Sequence, residues 1–187
     1  MYDVMVRQHI EKIFPYIPGK PVEEMAREWG TNETVQLASN ENPFGPSPKA
    51  VEAIINELGK INRYPESHFY YLIEKLSSVL KIPRDQIIAG NGSNEIIDLL
   101  VRTLVAPGEE VITAEHAFGM FKQVTQVNDG KLIEVPQTKE FVFDLVEMAG
   151  QVNEKTKIIF IANPNNPTGT YANRDAMDKM FKKLKGK

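Results

Sequence analysis

The stretch "IIFIANPNNPTGTY", Ile158 to Tyr171, joins a strongly apolar run to a loop rich in asparagine and proline. The apolar residues within 155–162 predict a buried strand. In the loop, Pro164 and Pro167 restrict the backbone on both sides of Asn166, whose side-chain amide can donate or accept hydrogen bonds. A rigid turn with self-bonded asparagines is the alternative. Two prolines that bracket two asparagines are more than a turn needs, so the pattern favours a ligand-binding loop.

Strands and helices are predicted to alternate through the second half of the chain. Further strands are predicted at residues 86–89, 109–114 and 131–136, and helices at 93–105, 118–129, 143–152 and 173–187. Such alternation implies right-handed crossovers and a mainly parallel sheet with helices on both faces. The predicted fold class is therefore α/β with three layers.

The first part of the chain is predicted to consist mainly of turns and helices. "PYIPGKP", residues 15–21, holds three prolines and a glycine, which no regular element tolerates. A short helix is predicted over 22–29 and a brief strand at 35–38. Two longer helices follow over 48–59 and 69–80, the first with proline at the favoured first helical position.

Composition excludes several classes of function. The chain has 187 residues, 42% hydrophobic and 25% charged, with a net charge of -3. That charge gives no general attraction to nucleic acid or to an anionic membrane. Without cysteine there is no disulfide, thiolate nucleophile or Cys-ligated metal. The charged start "MYDVMVRQHIEKIF" differs from a signal peptide, and no apolar run could cross a bilayer. We expect a cytoplasmic protein with neither nucleic acid nor membrane as partner.

The stretch "QIIAGNGSNEIIDLL" places glycines between a predicted strand and a helix. Backbone N–H groups at such a helix N-terminus can bind a phosphate, and the helix dipole adds to the attraction. Alternatively, Ser93 or Asn94 is merely the N-cap. The dinucleotide fingerprint would need a third glycine where Glu95 stands, which disfavours a Rossmann-type nucleotide domain.

The stretch "AEHAFGMFK" places Phe118 after another predicted strand. An aromatic ring at this edge of the sheet can stack on a planar ligand, although such a residue is more often part of the core. His116 has no metal-ligand partner at a suitable spacing, and we expect it to be a surface loop residue. No metal site is predicted.

Five motifs in this order and spacing, "LASNENPFGP", "NRYP", "GNGSNE", "AFGMF" and "NPNNPTG", resemble those of the pyridoxal-phosphate aminotransferases of fold type I. Within that group the chain is similar to the histidinol-phosphate aminotransferase family. The resemblance implies pyridoxal 5'-phosphate as cofactor and small-molecule amino acid and keto acid substrates. It also implies amino transfer between glutamate/2-oxoglutarate and a phosphorylated imidazole substrate, a step of histidine biosynthesis.

The resemblance assigns roles to residues of the predicted sheet edge. Gly92, Ser93 and Asn94 would bind the cofactor phosphate through their backbone amides. Phe118, where many relatives have tyrosine, would stack on the pyridine ring. Asn166 would hydrogen-bond the phenolic oxygen.

The resemblance also implies a homodimer and a mobile cover for the substrate. Tyr64 would reach the phosphate of the neighbouring subunit. Tyr16 and the segment Asn40, Glu41 and Asn42 would belong to an amino-terminal arm that closes over substrate. The implied organisation is an arm and substrate-covering loop over residues 1–45 and an incomplete cofactor-binding large domain over 46–187.

The family also has a Schiff-base lysine, which this chain lacks at any matching position. Ser78 and Lys81 have the Ser-x-x-Lys spacing of the family, but they lie at the end of a predicted helix, and we expect them to be ordinary surface residues. We expect the lysine, with its accompanying aspartate, tyrosine and arginines, to lie beyond Lys187. The chain would then be the amino-terminal half of the enzyme, with no catalytic residue of its own and no activity alone. In the family, the strand at 86–89 lies beside strands of the second half.

Two alternatives remain open. One is another member of the subgroup, such as an aromatic or broad-range aminotransferase or a threonine-phosphate decarboxylase. The other is a non-catalytic assembly module that uses the half-fold as an interaction surface.

Overall fold

The computed structural model describes residues 5–15, 19–30, 37 and 39–185. The chain divides into two units. We call Met1–Phe14 together with Ile88–Lys187 the sheet unit, and Pro15–Ile87 the helical unit. Tyr16 lies outside the described residues, as does the predicted strand at 35–38 apart from Leu37.

The helical unit consists of helices and turns in its described part. Its elements are α2 (Val22–Trp29), α3 (Pro48–Glu57), a 3-10 turn (Leu58–Lys60), α4 (Tyr70–Leu80) and a second 3-10 turn (Arg84–Gln86). The predicted helices are confirmed, and Pro48 occupies the first turn of α3 as expected. None of these three helices contains a buried residue. Their apolar side chains are therefore left without a core of their own.

The sheet unit alternates helices with parallel strands. Its elements are α1 (Gln8–Glu11), α5 (Gly92–Leu104), β1 (Glu110–Ala114), α6 (Gly119–Val127), β2 (Lys131–Val135), α7 (Leu145–Gly150), β3 (Thr156–Ile159) and α8 (Arg174–Leu184). The strand order is β2-β1-β3, and β1 pairs in parallel with both neighbours. The predicted parallel sheet with covering helices is confirmed.

The central strand β1 supplies side chains to two separate cores. Ile112 and Ala114 join the cluster formed with α7 and α8, and Val111 joins the cluster formed with α5 and α6. Because successive side chains of a strand point to opposite faces, one strand serves both layers of helices. The result is the predicted three-layer arrangement around a fully buried strand.

The prediction of a strand at 86–89 is wrong for this structure. Gln86 ends a 3-10 turn, and Ile87 is extended, with φ -120° and ψ 123°, but belongs to no strand of the described sheet. The apolar pair Ile87–Ile88 favours extended backbone, yet only a hydrogen-bonded neighbour makes such a segment a strand. The strand predicted at 155–162 is observed only over Thr156–Ile159. One further hydrogen bond to β1 follows, since the Phe160 N–H donates to the Ile112 carbonyl at 2.8 Å. No helix in the described part of the chain is long and apolar enough to span a bilayer.

Candidate functional site

The carboxyl ends of the three parallel strands lie at one edge of the sheet. The loops that follow them are residues 115–118 after β1, 136–144 after β2 and 160–173 after β3. Phe118 lies in the first loop and Asn166 in the third. Ligands of open parallel sheets bind at this edge. The fold therefore brings two of the predicted site residues to the same edge.

The entry to α5 is a tight turn whose backbone favours glycine. Asn91 has φ -78° and ψ 71°, and the Gly92 N–H donates to the Gly90 carbonyl at 2.9 Å, which together define an inverse γ-turn. Gly92 itself has φ +80°, a conformation that favours glycine. The N–H groups of Ser93 and Asn94 follow in the first helical turn, where a helix offers them no acceptor. Both residues are exposed.

Glu95 stands where the dinucleotide fingerprint would need a glycine, and its side chain stabilises this turn. Its carboxylate accepts a hydrogen bond from the Asn91 N–H at 2.6 Å. A Cβ at Gly90 would lie 2.7 Å from the Glu95 carboxylate oxygen, so glycine leaves room for this contact. The N-cap residue is Asn91, without a side-chain cap bond. The alternative that Ser93 or Asn94 is the N-cap is thus wrong, because both residues are already helical.

Phe118 is half-buried at the start of α6. Its ring meets the Phe121 ring edge-on at 5.7 Å, and Phe121 in turn stacks on Phe160 at 4.5 Å. Ile97 of α5 belongs to the same cluster. The Phe118 ring thus packs against the core cluster to which α5 also contributes.

The loop after β3 is closed by hydrogen bonds across its base. The Asn163 side chain donates to the Ala172 carbonyl and accepts from the Ala172 N–H, each at 2.9 Å. Farther along, the Asn165 N–H donates to the Thr170 carbonyl at 2.7 Å. The Asn163–Pro164 and Asn166–Pro167 peptide bonds are cis. Asn166 is half-buried inside this braced segment.

Asn165 ties this loop to the loop that carries Phe118. Its side chain is buried, with 4% of the residue exposed, and its Nδ2 donates to the His116 carbonyl at 2.8 Å. The same nitrogen donates to Thr168 Oγ1 at 2.8 Å. Sequence reasoning missed this residue, since two adjacent asparagines in a loop give no sign of which one points inward. His116 itself is exposed, as expected.

The other predicted site residues belong to the helical unit. Tyr64 is fully exposed, and Asn40, Glu41 and Asn42 are exposed. The Asn42 side chain makes a local turn, since its Oδ1 accepts from the Phe44 N–H at 3.1 Å. Roles for these residues in a site remain predictions.

Lys81 is the C-cap of α4 and has left-handed backbone, with φ 59°. It is exposed, which agrees with the expectation of an ordinary surface lysine at a helix end.

The family model for aminotransferase class I and II matches residues 32–187, and the chain belongs to this family. Its relatives include the histidinol-phosphate aminotransferase of Moorella thermoacetica, 42% identical over 178 residues that cover 95% of this chain and 46% of the relative. The enzyme of the same name from Desulfotalea psychrophila is 47% identical over 166 residues, 89% of this chain and 44% of the relative. The chain thus spans about half the length of the curated relatives it matches.

Solved structures share the fold. The histidinol-phosphate aminotransferase of Sinorhizobium meliloti, in complex with pyridoxal-5'-phosphate, gives a TM-score of 0.84 at 23% identity, covering 97% of this chain and 49% of that one. The aspartate aminotransferase of Thermotoga maritima gives 0.78 at 24% identity, covering 97% and 51%. At these identities the likeness shows the fold alone, and it confirms the predicted fold class.

Proposed function

We propose that the chain forms the phosphate- and ring-binding part of a pyridoxal-phosphate aminotransferase of the histidinol-phosphate type. The observation that carries this proposal is the bond from Asn165 to the His116 carbonyl, which holds the Asn166 loop against the Phe118 loop. The curated relatives of that name support the choice of subgroup.

The residues present fit the cofactor. Ser93 and Asn94 are exposed, and their N–H groups belong to a first helical turn, which suits a phosphate. Phe118 offers a half-buried ring for stacking, and Asn166 an amide that can donate to a phenolic oxygen. When bound, pyridoxal phosphate supplies an electron sink for the substrate carbanion. These residues would bind and orient the cofactor, and none of them would carry the proton between substrate and cofactor.

We further propose that the chain alone does not transaminate. Amino transfer needs a lysine amine next to the cofactor, and the one lysine with family-like spacing, Lys81, is exposed at a helix end. The amino transfer between glutamate/2-oxoglutarate and a phosphorylated imidazole substrate would belong to the whole enzyme.

A homodimer is part of the same proposal. Large apolar side chains of the helical unit are exposed, among them Ile54 at 63%, Ile61 at 76% and Tyr71 at 80%. We infer that these side chains belong to an interaction surface. A second copy would cover it, with Tyr64 reaching the partner's phosphate site. Residues 1–45, with Tyr16 and Asn40–Asn42, would form the substrate-covering arm, and residues 46–187 the incomplete cofactor-binding large domain.

Ligand titration and an activity assay test the proposal together. We expect the phosphorus NMR signal of pyridoxal phosphate to broaden when the purified chain is added. Phe118→Leu should weaken this binding severalfold. The matched control Phe181→Leu, on an exposed ring of α8, should bind as wild type does. Glutamate and a 2-oxo acid should give no turnover. Turnover that persists in Lys81→Ala would refute the inactivity.

The assembly-module alternative predicts a different outcome. The chain would then self-associate through the helical unit, and the NMR signals of pyridoxal phosphate would not change when the chain is added. Another subgroup member would instead bind the cofactor as proposed and differ only in the substrate accepted by the whole enzyme.

A further inference from the structure

The three loops at the carboxyl edge are joined by a chain of hydrogen bonds that runs in one direction. Asn165 Nδ2 donates to Thr168 Oγ1 at 2.8 Å, the two threonine hydroxyls lie 2.7 Å apart, and Thr170 Oγ1 donates to the Phe141 carbonyl at 2.6 Å. A hydroxyl has one proton to give. Since Thr170 gives its proton to Phe141, Thr168 must donate to Thr170. We call Asn165, Thr168 and Thr170 the carboxyl-edge relay.

The orientation of the Asn165 amide follows from its surroundings. Its second N–H donates to the His116 carbonyl at 2.8 Å, so both amide protons are used. The reversed amide would place two acceptors face to face, Oδ1 against the His116 carbonyl. Oδ1 is buried and has no hydrogen-bond partner among the described residues. Burial with both donors satisfied makes this amide a fixed anchor rather than a mobile surface group.

The relay reaches all three loops. Phe141 lies in the loop after β2, His116 in the loop after β1, and the relay residues in the loop after β3. Asn165 also has its backbone held, because its carbonyl accepts from the Gly169 N–H at 2.8 Å and its N–H donates to the Thr170 carbonyl at 2.7 Å. Asn166 is the next residue, and Phe118 follows His116 by two positions.

We propose that Asn165 is a positioning residue of the cofactor site. Through the carboxyl-edge relay it sets the spacing between the ring of Phe118 and the amide of Asn166, the two groups that would hold the aromatic ring of the ligand. This inference rests on the proposed function. It predicts that the relay affects ring binding and leaves phosphate binding at the start of α5 unchanged.

The test uses the 187-residue chain and pyridoxine 5'-phosphate. This probe keeps the ring, phenolic oxygen and phosphate of the cofactor but has no aldehyde that could react with surface lysines. Phosphorus and ring-proton NMR signals report on its two ends separately. Inorganic phosphate serves as a second probe for the α5 terminus alone.

Thr168→Val removes the relay hydroxyl at nearly constant shape, and Thr168→Ser keeps the hydroxyl as the matched control. Asn165→Leu removes both donors and serves if the valine variant does not fold. We expect the valine and leucine variants to bind the ring end about tenfold more weakly, a change that corresponds to about 1.4 kcal/mol. Thr168→Ser should behave as wild type, and inorganic phosphate should bind all variants alike.

The pH dependence of the bound probe separates positioning from simple loss of stability. Donation by Asn166 stabilises the ionised phenol, so the wild-type chain should lower the pH at which the bound probe loses its phenolic proton. Thr168→Val should abolish this lowering, and Thr168→Ser should keep it. If the valine variant keeps both the ring affinity and the pH midpoint, the inference is wrong while the proposed function stands. If neither end of the probe responds to the wild-type chain, the proposed function fails and the inference with it.

Discussion

Replacing Glu110 by glutamine tests how the three strands are held at their amino ends. Glu110 opens β1 and is 6% exposed. One carboxylate oxygen accepts from Lys131 Nζ at 2.9 Å and the other from Asn153 Nδ2 at 2.7 Å. Lys131 is the first residue of β2, and Asn153 lies just before β3. One buried carboxylate therefore links all three strands.

The magnitude of the loss follows from the exposure of the two partners. Lys131 is 62% exposed, so its ion pair contributes about 0–1 kcal/mol. The bond from Asn153 to an ionised acceptor is worth about 1.5–3 kcal/mol, against about 0.5–1.5 for a neutral one. Glutamine keeps the shape and one acceptor but turns its amide protons toward a donor. We expect Glu110→Gln to lower the free energy of unfolding by about 1–3 kcal/mol.

The pH dependence of this difference gives a second check. The hydrogen bond from Lys131, followed by that from Asn153, holds the pKa of Glu110 below its ordinary value of 4.5. Because the pKa in the folded state is lower than in the unfolded state, the contribution is complete above pH 4.5 and disappears as the pH falls through the folded pKa. The advantage of the wild type should therefore be constant near neutral pH and shrink in acid.

Urea unfolding followed by circular dichroism, at several pH values, measures both effects. Glu140→Gln is the matched control, since it removes the same charge from an exposed loop position. Equal unfolding midpoints for wild type and Glu110→Gln at pH 7 would refute the strand-linking role. A difference that persists undiminished in acid would refute the assignment to the ionised carboxylate.

Three further substitutions probe other parts of the fold. Asp144→Ala removes the oxygen that accepts from the first turn of α7 at 2.9 Å, and should cost about 1 kcal/mol in urea unfolding; an unchanged midpoint would show that this cap is dispensable. Gly92→Ala puts a side chain at φ +80° and should cost about 1–2 kcal/mol and weaken the phosphorus NMR response to phosphate, whereas Ser93→Ala should do neither. Phe160→Ala deletes a buried stacked ring and should cost about 3–5 kcal/mol. The exposed-ring control Phe181→Ala should stay within about 0.5 kcal/mol of wild type, and a similar loss in both would contradict the assigned core.

Much of the local structure followed from patterns within short windows. The patterns at 109–114 and 131–136 predicted β1 and β2 within a residue, because β-branched and apolar residues in a short segment favour a strand. Pro48 predicted the start of α3 in the same way, since its fixed φ suits the first helical turn. The glycine-rich turn before α5 was also predictable, because the positive φ at Gly92 favours glycine.

Strand pairing and the direction of individual side chains depend on contacts between residues far apart in the sequence. The segment 86–89 has the composition of a strand, yet the structure gives it no neighbour to pair with, and composition cannot reveal a neighbour. The sequence marked Asn166 as the important amide of its loop but could not show that Asn165 turns inward. That direction depends on the His116 carbonyl, which lies 49 positions earlier in the chain and meets Asn165 only because β1 and β3 are adjacent and parallel.

The sequence by itself thus determined the α/β alternation from α5 onward, the longer helices and the two loops that carry Phe118 and Asn166. Each of these depends on the chemistry of neighbouring residues, which the order of the chain preserves. Only the tertiary structure decided that β1 serves two cores, that Glu110 links three strands, and that Asn165 locks the carboxyl edge. These features depend on which strands lie side by side, and strand adjacency is set by the packing of the whole sheet rather than by any one segment.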